Sequence, residues 1–598
     1  MLSTLDWVII GIYLVFALLV GVVLARRAGS SMKEFFVSGR NLPWWLAGTS
    51  MVATSFSCDT PLFITGLVRK NGISENWMWW SLALGGMLSV FLLARLWRRA
   101  EVVTDVELTE LRYSGKPAAA LRGFKAAYWA LPVNCLAMGL VILGMLKVFN
   151  VIFGFQPVVA LAVLLLITTV YCVLSGFWGV VVTDLVQFVV AMGGSIVMAV
   201  LAVRSMGGLD ALVVRSQEAS PLGERLLQFF PRFPEGVGPL EWAFWQGPFF
   251  AFLIYIAVQS WLNKNSDGGG AIIQRMSSTR NERHALLATL WFNVANYALR
   301  PWPWILVALA SVVLLPEMTD NEAAYAAMIP KLAPAGLLGL IVASFLAAFM
   351  STVDTMLNLC SSYVVNDLYR RFLRRDASER HYVWAGRILS VVFMLLGSLV
   401  ALQYDSIVGL FQFMMTFTAG AGLVYLGRWF WWRINAWSEI SAMAASAVIA
   451  TALAQFTSLV FPFTLVPTIF GSTVVWVTVT FLTAPVSMER LVAFYRKVRP
   501  YGAWGPVAAA AGVAPARGLG RMVVNWIAGT AMVLAATMAV GKFLLGFYAA
   551  GWVYTAVAVA GAVVISREVL GLDDRQASVA KPRTAPPEVA AEGSDLPT

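Results

Sequence analysis

Apolar runs of about 20 residues recur along almost the whole chain, and they limit the possible folds more than any motif does. A run of that length crosses the hydrocarbon core of a bilayer as a helix, the form in which a segment pairs its own backbone N–H and C=O groups. Read in order, the runs predict about 15 spans. Their edges fall near 5–25, 41–67, 75–97, 124–149, 157–176, 178–204, 240–262, 285–315, 335–368, 382–403, 405–432, 437–460, 464–484, 521–545 and 548–566. Composition agrees: 59% of the 598 residues are hydrophobic and 13% charged, against about 25% charged in soluble domains. A soluble enzyme and a disordered chain are both excluded. The net charge of +11 would suggest nucleic acid in a soluble chain. Here most of the 43 Lys and Arg fall in alternate loops if the N-terminus lies outside. That is the positive-inside pattern, so the N-terminus is expected outside and the C-terminus inside, with a lipid bilayer as partner and no nucleic acid.

Two spans are interrupted by small and polar residues. The second reads NLPWWLAGTSMVATSFSCDTPLFITGLV, and the seventh reads EWAFWQGPFFAFLIYIAVQSWLNKNSDGGG. Broken helices at corresponding places in two halves point to a transporter binding site. Five spans separate their starts, and an odd number per repeat inverts the second repeat. The stretch 485–520 reads as a cytoplasmic surface linker. The tail 567–598 is too polar and Pro-rich to fold alone.

Five pieces in order resemble the sodium:solute symporters, which include sodium/glucose, sodium/proline and sialic acid cotransporters. They are EFFVSGRNLPWW, VVTDVELTELRYSG, GVVVTDLVQFVV, QRMSSTRNERHA and AAFMSTVDTMLNLCSSYVVNDLYRR. The likeness runs from residue 1 to about residue 484. It implies an all-α polytopic protein with a leucine-transporter-type core of two inverted five-helix repeats, here spans 2 to 11 at 41–432. Residues 1–40 would be the first span and its loop, and 433–566 accessory helices. The implied function is sodium-coupled symport of a small polar solute (a sugar, amino acid or organic acid) by alternating access. No cofactor is implied, and no enzymatic activity. Two rivals stay open: a membrane solute sensor on the same fold, and proton-coupled symport.

The resemblance also implies sites. A sodium ion would take hydroxyls from Ser351 and Thr352 and the Ala348 carbonyl, all on the ninth span. Two carbonyls at the break in the second span, Ala53 and Phe56, would complete it. In the ninth span Ser351, Asp354, Thr355 and Asn358 form one polar stripe at helical spacing. An acid there is costly in a membrane. Either Asp354 and Thr355 join Asp184 around a second cation, or the two acids share a proton, or Asp354 faces a water-filled cavity or bonds a neighbouring helix.

Solute contacts are expected from Ser57, Asp59 and Thr60 past the break, from Asn76 ahead of Trp77-Met78, and from Gln259 in the seventh span. Arg300 lies near mid-membrane and needs an anionic partner. That partner is either Asp59 or a solute carboxylate. Trp245, Tyr255, Trp261, Trp302 and Trp304 are placed at the membrane interface, where Trp and Tyr concentrate.

Overall fold

A computed structural model describes residues 2–28, 41–102, 104–174, 177–234, 236, 238–260 and 267–580. Among them there is no strand, only two isolated bridges, Leu42 with Thr279 and Trp431 with Ala503. The first half contains α1 (Thr4–Ala28), α2 (Trp44–Ser55), α3 (Asp59–Asn71), α4 (Ile73–Ala100), α5 (Gly115–Phe153), α6 (Pro157–Leu174) and α7 (Phe177–Met206). Then come α8 (Pro248–Gln259), α9 (Gly270–Ser277), α10 (Glu282–Leu314), α11 (Leu337–Leu373), α12 (Glu379–Ala401), α13 (Ile407–Thr418) and α14 (Ala421–Phe430). The chain ends in α15 (Ala436–Phe456), α16 (Leu465–Leu482), α17 (Met488–Val498), α18 (Gly505–Ala511), α19 (Leu519–Leu544) and α20 (Tyr548–Ala580).

Among the described residues, 10 helices are long and apolar enough to cross a membrane, and two bent pairs, α2 with α3 and α13 with α14, do so together. Shorter apolar stretches lie in α1, α6 and α8. Lone apolar faces are left bare, as on α12, where Ile388, Leu395 and Leu399 are exposed. Lipid covers such a face without cost.

The centre of the bundle is α11: 89% of its apolar window is buried, against 17% in α20. Its N-terminus is held by α1. Asp6 Oδ1 accepts the N–H groups of Gly336 at 2.8 Å and Gly339 at 2.7 Å. A carboxylate suits the positive end of a helix. Gly339 is needed for the approach, since a Cβ there would lie 2.5 Å from Asp6 Cα.

The bend between α2 and α3 is 60°. Phe56 leaves helical geometry at φ −88°, ψ 90°. The segment Ser55-Phe56-Ser57-Cys58-Asp59 is rich in side chains that compete for backbone bonds, which weakens the helix there. Asp59 then opens α3 in its first turn. At the second bend, 45° between α13 and α14, Ser446 Oγ takes the Gly420 N–H at 2.9 Å. Five helices also carry a wide, i→i+5 turn among the described residues: Ser89–Leu93, Trp129–Val133, Tyr255–Gln259, Val294–Leu299 and Tyr363–Leu373. Such turns free carbonyls and re-aim side chains, and they gather at functional sites.

Three expectations are corrected. The linker 485–520 holds α17 and α18, with Leu491, Phe494, Tyr495 and Val498 buried. Those four positions make one apolar helix face, the amphipathic pattern that its basic residues mask. Helix α20 runs into the tail as far as Ala580, and within it Glu568 is buried against Arg95 at 2.7 Å and Arg521 at 3.0 Å. The seventh span begins at Pro248 and not at 240, after a separate turn at Trp242–Trp245. Proline suits a first helical position because no partner awaits its missing N–H. Residues 581–598, Trp261 and the loop 29–40 lie outside the described residues.

Candidate binding site

Two neighbouring features make up the site: the break between α2 and α3, which faces α11, and a cavity beyond it. At the break, Thr352 Oγ1 lies 3.4 Å from Thr54 O and 3.5 Å from Phe56 O. Ala53, Ala348 and Ser351 are buried in the same region of α2 and α11. The Ala53 carbonyl accepts the Phe56 N–H at 2.9 Å. The Thr352 hydroxyl of the intact helix and two carbonyls of the broken one thus lie together in the region where the resemblance implies a cation.

Asp184 on α7 is fully engaged elsewhere. It accepts from Ser351 Oγ at 2.5 Å and Ser50 Oγ at 2.6 Å, and pairs with Arg275 at 3.1 Å. Thr54 Oγ1 stands at 3.5 Å, and Arg275 Nε also donates to Ser50 at 2.7 Å. This network joins α2, α7, α9 and α11. Of the three residues expected around a second cation, Asp184 is held by Ser50, Ser351 and Arg275. Thr355 faces the cavity, and Asp354 is buried. The charge of Asp184 is met by the Arg275 guanidinium, as a buried carboxylate requires. Arg275 stands in the QRMSSTRNERHA stretch, where a basic residue inside a polar motif is the signal for such a partner.

The cavity has a volume of about 320 Å³ and lies between α3, α4, α5, α10, α11 and α13. Ser57, Asp59 and Thr60 line it. Asp59 Oδ1 is buried and makes no hydrogen bond within the protein. Gly144 of α5 makes room for Asp59, for a Cβ there would sit 2.8 Å from the Asp59 Cα. Gly86 of α4 does the same for Asn293 of α10, where a Cβ would fall 1.9 Å from Asn293 Oδ1. Asn134, Asn296, Trp79, Trp129 and Tyr297 complete the polar and aromatic wall. None of these was singled out from the sequence. A polar residue inside an apolar span is the signal that would have found the asparagines.

Three expected contacts are elsewhere. Asn76 Nδ2 donates to Ile73 O at 2.9 Å, within the turn that starts α4. Gln259 Nε2 donates to Met78 O at 2.6 Å and ties α8 to α4. Neither lines the cavity. Arg300 forms no hydrogen bond or ion pair with Asp59. Its guanidinium donates to Ser55 O at 2.7 Å, Val52 O at 3.4 Å and Asn296 Oδ1 at 2.6 Å. It also lies over the rings of Phe56 at 5.0 Å and Trp304 at 5.3 Å. The compensation expected from an anion comes from carbonyls that the break sets free, with cation–π contact added. Trp302 and Trp304 are core residues and not interface ones, whereas Trp245 is 46% exposed.

Two rings of the lining, Phe411 and Trp79, pack on Phe63 at 5.0 Å and 6.2 Å. The lining also includes Gly268, Gly269, Gly270 and Tyr363. Beyond it lies a buried charge cluster. Arg428 pairs with Asp267 and, at 3.3 Å, with Glu439; Lys125 reaches Glu439 at 3.2 Å. Tyr363 donates to Asp105 at 2.6 Å.

Residues 35–448 match the sodium:solute symporter family. The sodium/glucose cotransporter of Vibrio parahaemolyticus is 23% identical over 483 residues, covering 77% of this chain and 87% of its own. The sodium/mannose cotransporter of Bos taurus is 24% identical over 498 residues, with 76% and 79% covered. A Na+-coupled sialic acid symporter, solved substrate-bound and outward-open, superimposes with a TM-score of 0.63 at 20% identity, over 81% of this chain and 99% of its own. A match over most of the chain, an apolar helical bundle, and a broken helix beside a polar cavity lead to one conclusion. The chain belongs to the sodium:solute symporter family, as a multi-pass cell-membrane protein that couples solute movement to sodium and is a transporter, not an enzyme.

Proposed function

We propose that the chain takes up a small polar solute that is uncharged or carries an amine, with a sugar as the first candidate, in symport with sodium. Asp59 carries the reading. It is the one formally charged side chain lining the cavity among the described residues, and its Oδ1 is unpartnered. A carboxylate accepts from hydroxyl or ammonium groups and repels a carboxylate. Arg300, the cation that would hold an organic acid, is committed to Val52 O, Ser55 O and Asn296. The sugar relatives support the sugar as first candidate.

Sodium binds at the break, on Ser351, Thr352 and the carbonyls of Ala348, Ala53 and Phe56. The distances of Thr352 to Thr54 O and Phe56 O support that placement. Sodium there stiffens the junction of α2, α3 and α11, and Ser57, Asp59 and Thr60 follow the junction directly. The solute site is thereby organised by the ion, and the coupling is reciprocal. The core is the leucine-transporter type, with inverted repeats over 41–432, about 15 spans, the N-terminus outside and the C-terminus inside. In that orientation the Phe63, Trp79 and Phe411 rings form an outer lid, and the Asp267, Arg428 and Glu439 cluster an inner latch. Asp354 and Thr355 extend the polar stripe of α11 beyond the ion.

A thermal-shift screen on the purified protein tests the solute class, since a ligand of the folded state raises apparent stability. Hexoses, polyols, amines, amino acids and carboxylates are titrated with and without sodium. Sodium-dependent stabilisation by a sugar or an amine is expected. Stabilisation by a simple carboxylate alone would refute the reading.

A further inference from the structure

We propose that α19 is part of the solute-binding apparatus, a strap that holds α4 and α10 in the register forming one wall of the cavity. It rests on the reading of that cavity as the solute site. The family match ends at residue 448, so it does not reach α19. Yet α19 packs behind the wall at both of its wide turns, Ser89–Leu93 and Val294–Leu299. Trp526 Nε1 donates to Leu84 O at 2.9 Å, between Leu82 and Gly85, which line the cavity. The Thr537 hydroxyl lies 3.1 Å from Tyr297 O and 2.9 Å from its own Val533 O. In return Trp302 Nε1 donates to Thr537 O at 3.0 Å.

The bond to Tyr297 has a local cause. The carbonyl of Tyr297 would ordinarily be served by the N–H four residues on, and that residue is Pro301, which has none. Thr537 supplies a donor, and it is fully buried in doing so. Side chains of the wall lie directly on two glycines of α19. A Cβ on Gly529 would lie 2.4 Å from Met87 Cε, and one on Gly541 would lie 1.8 Å from the Trp302 ring. The same Trp302 packs on Trp80 at 6.0 Å and Phe229 at 5.7 Å. Asn296 and Tyr297 face the cavity from the turn so held. Thr537 and Trp526 are therefore positioning residues that act through the backbone of the wall.

Hydrogen–deuterium exchange on the full-length protein in detergent reads the strap without any solute. The pair Thr537→Val and Trp526→Phe should raise exchange in 82–93 and 294–303 about fivefold, the ratio for loss of one net hydrogen bond. Exchange in 44–55 and 337–362 should stay at the wild-type rate, and Thr537→Ser, alone of the threonine changes, should keep it so throughout. Wild-type exchange in both wall segments overturns the proposal. So does an equal rise everywhere, which marks general destabilisation. A second arm measures sodium-driven D-glucose uptake into proteoliposomes. The double variant should raise the KM for D-glucose and leave half-saturation by sodium unchanged; a lower maximum rate at unchanged KM overturns the assignment to the solute wall. If the wild type moves no D-glucose, the sugar candidate fails while the exchange arm still decides the strap.

Discussion

Asp184 and Asp59 are both buried carboxylates, and their surroundings give them opposite roles. Asp184 has Arg275, Ser50 and Ser351 around it. Breaking such a pair strands the other charge, at a cost of about 3–5 kcal/mol. Asp184→Asn should therefore lower the melting temperature sharply. Adding Arg275→Met should recover much of that loss, because the two changes share one interaction. Asp59 has no ion-pair partner, so Asp59→Asn should barely change the melting temperature of the solute-free protein. Solute affinity should fall about tenfold or more, as for one charge-assisted hydrogen bond. A large loss of stability on Asp59→Asn, read by the same melts, would instead make Asp59 a packing residue.

At the scale of elements, close approach is what shapes the cavity. Gly144 lies against Asp59, and Gly193 on α7 has open space around it. Gly144→Ala should cost about 1–3 kcal/mol by overpacking and should weaken solute binding, because α3 must shift. Gly193→Ala should be neutral or slightly stabilising, since alanine favours a helix by up to about 1 kcal/mol. Melting temperature and solute-induced shift measure both. The broken second span was legible in the sequence because Ser55, Ser57 and Asp59 interrupt an apolar run. The α17 face was not, since Arg490, Arg496 and Lys497 are interleaved with its buried positions. Asn293 and Asn296 stood in view beside Arg300. Which of the three faces a cavity depends on the wide turn at Val294–Leu299, and a uniform helical period cannot show that. The direct pairing of Asp59 with Arg300 failed for a related reason, because carbonyls freed by a break are invisible in side-chain chemistry.

For the whole molecule, the proposal is that one broken helix joins the ion site to the solute site. Rings pack together at Phe63, Trp79 and Phe411, and charges at Asp267, Arg428 and Glu439. On the proposed reading these are the outer and inner closures, and alternating access exchanges which of them is open around a site near the middle. Sodium favours solute binding only if it binds one of these states more tightly than the other. The most direct test is the sodium dependence of solute binding in the wild type and in Ser351→Ala and Thr352→Ala, each at normal expression and folding. The account predicts that the sodium needed for half-maximal binding rises about tenfold in either variant, equivalent to about 1.4 kcal/mol of lost coordination, with solute selectivity unchanged. An unaltered sodium requirement in both variants would contradict it.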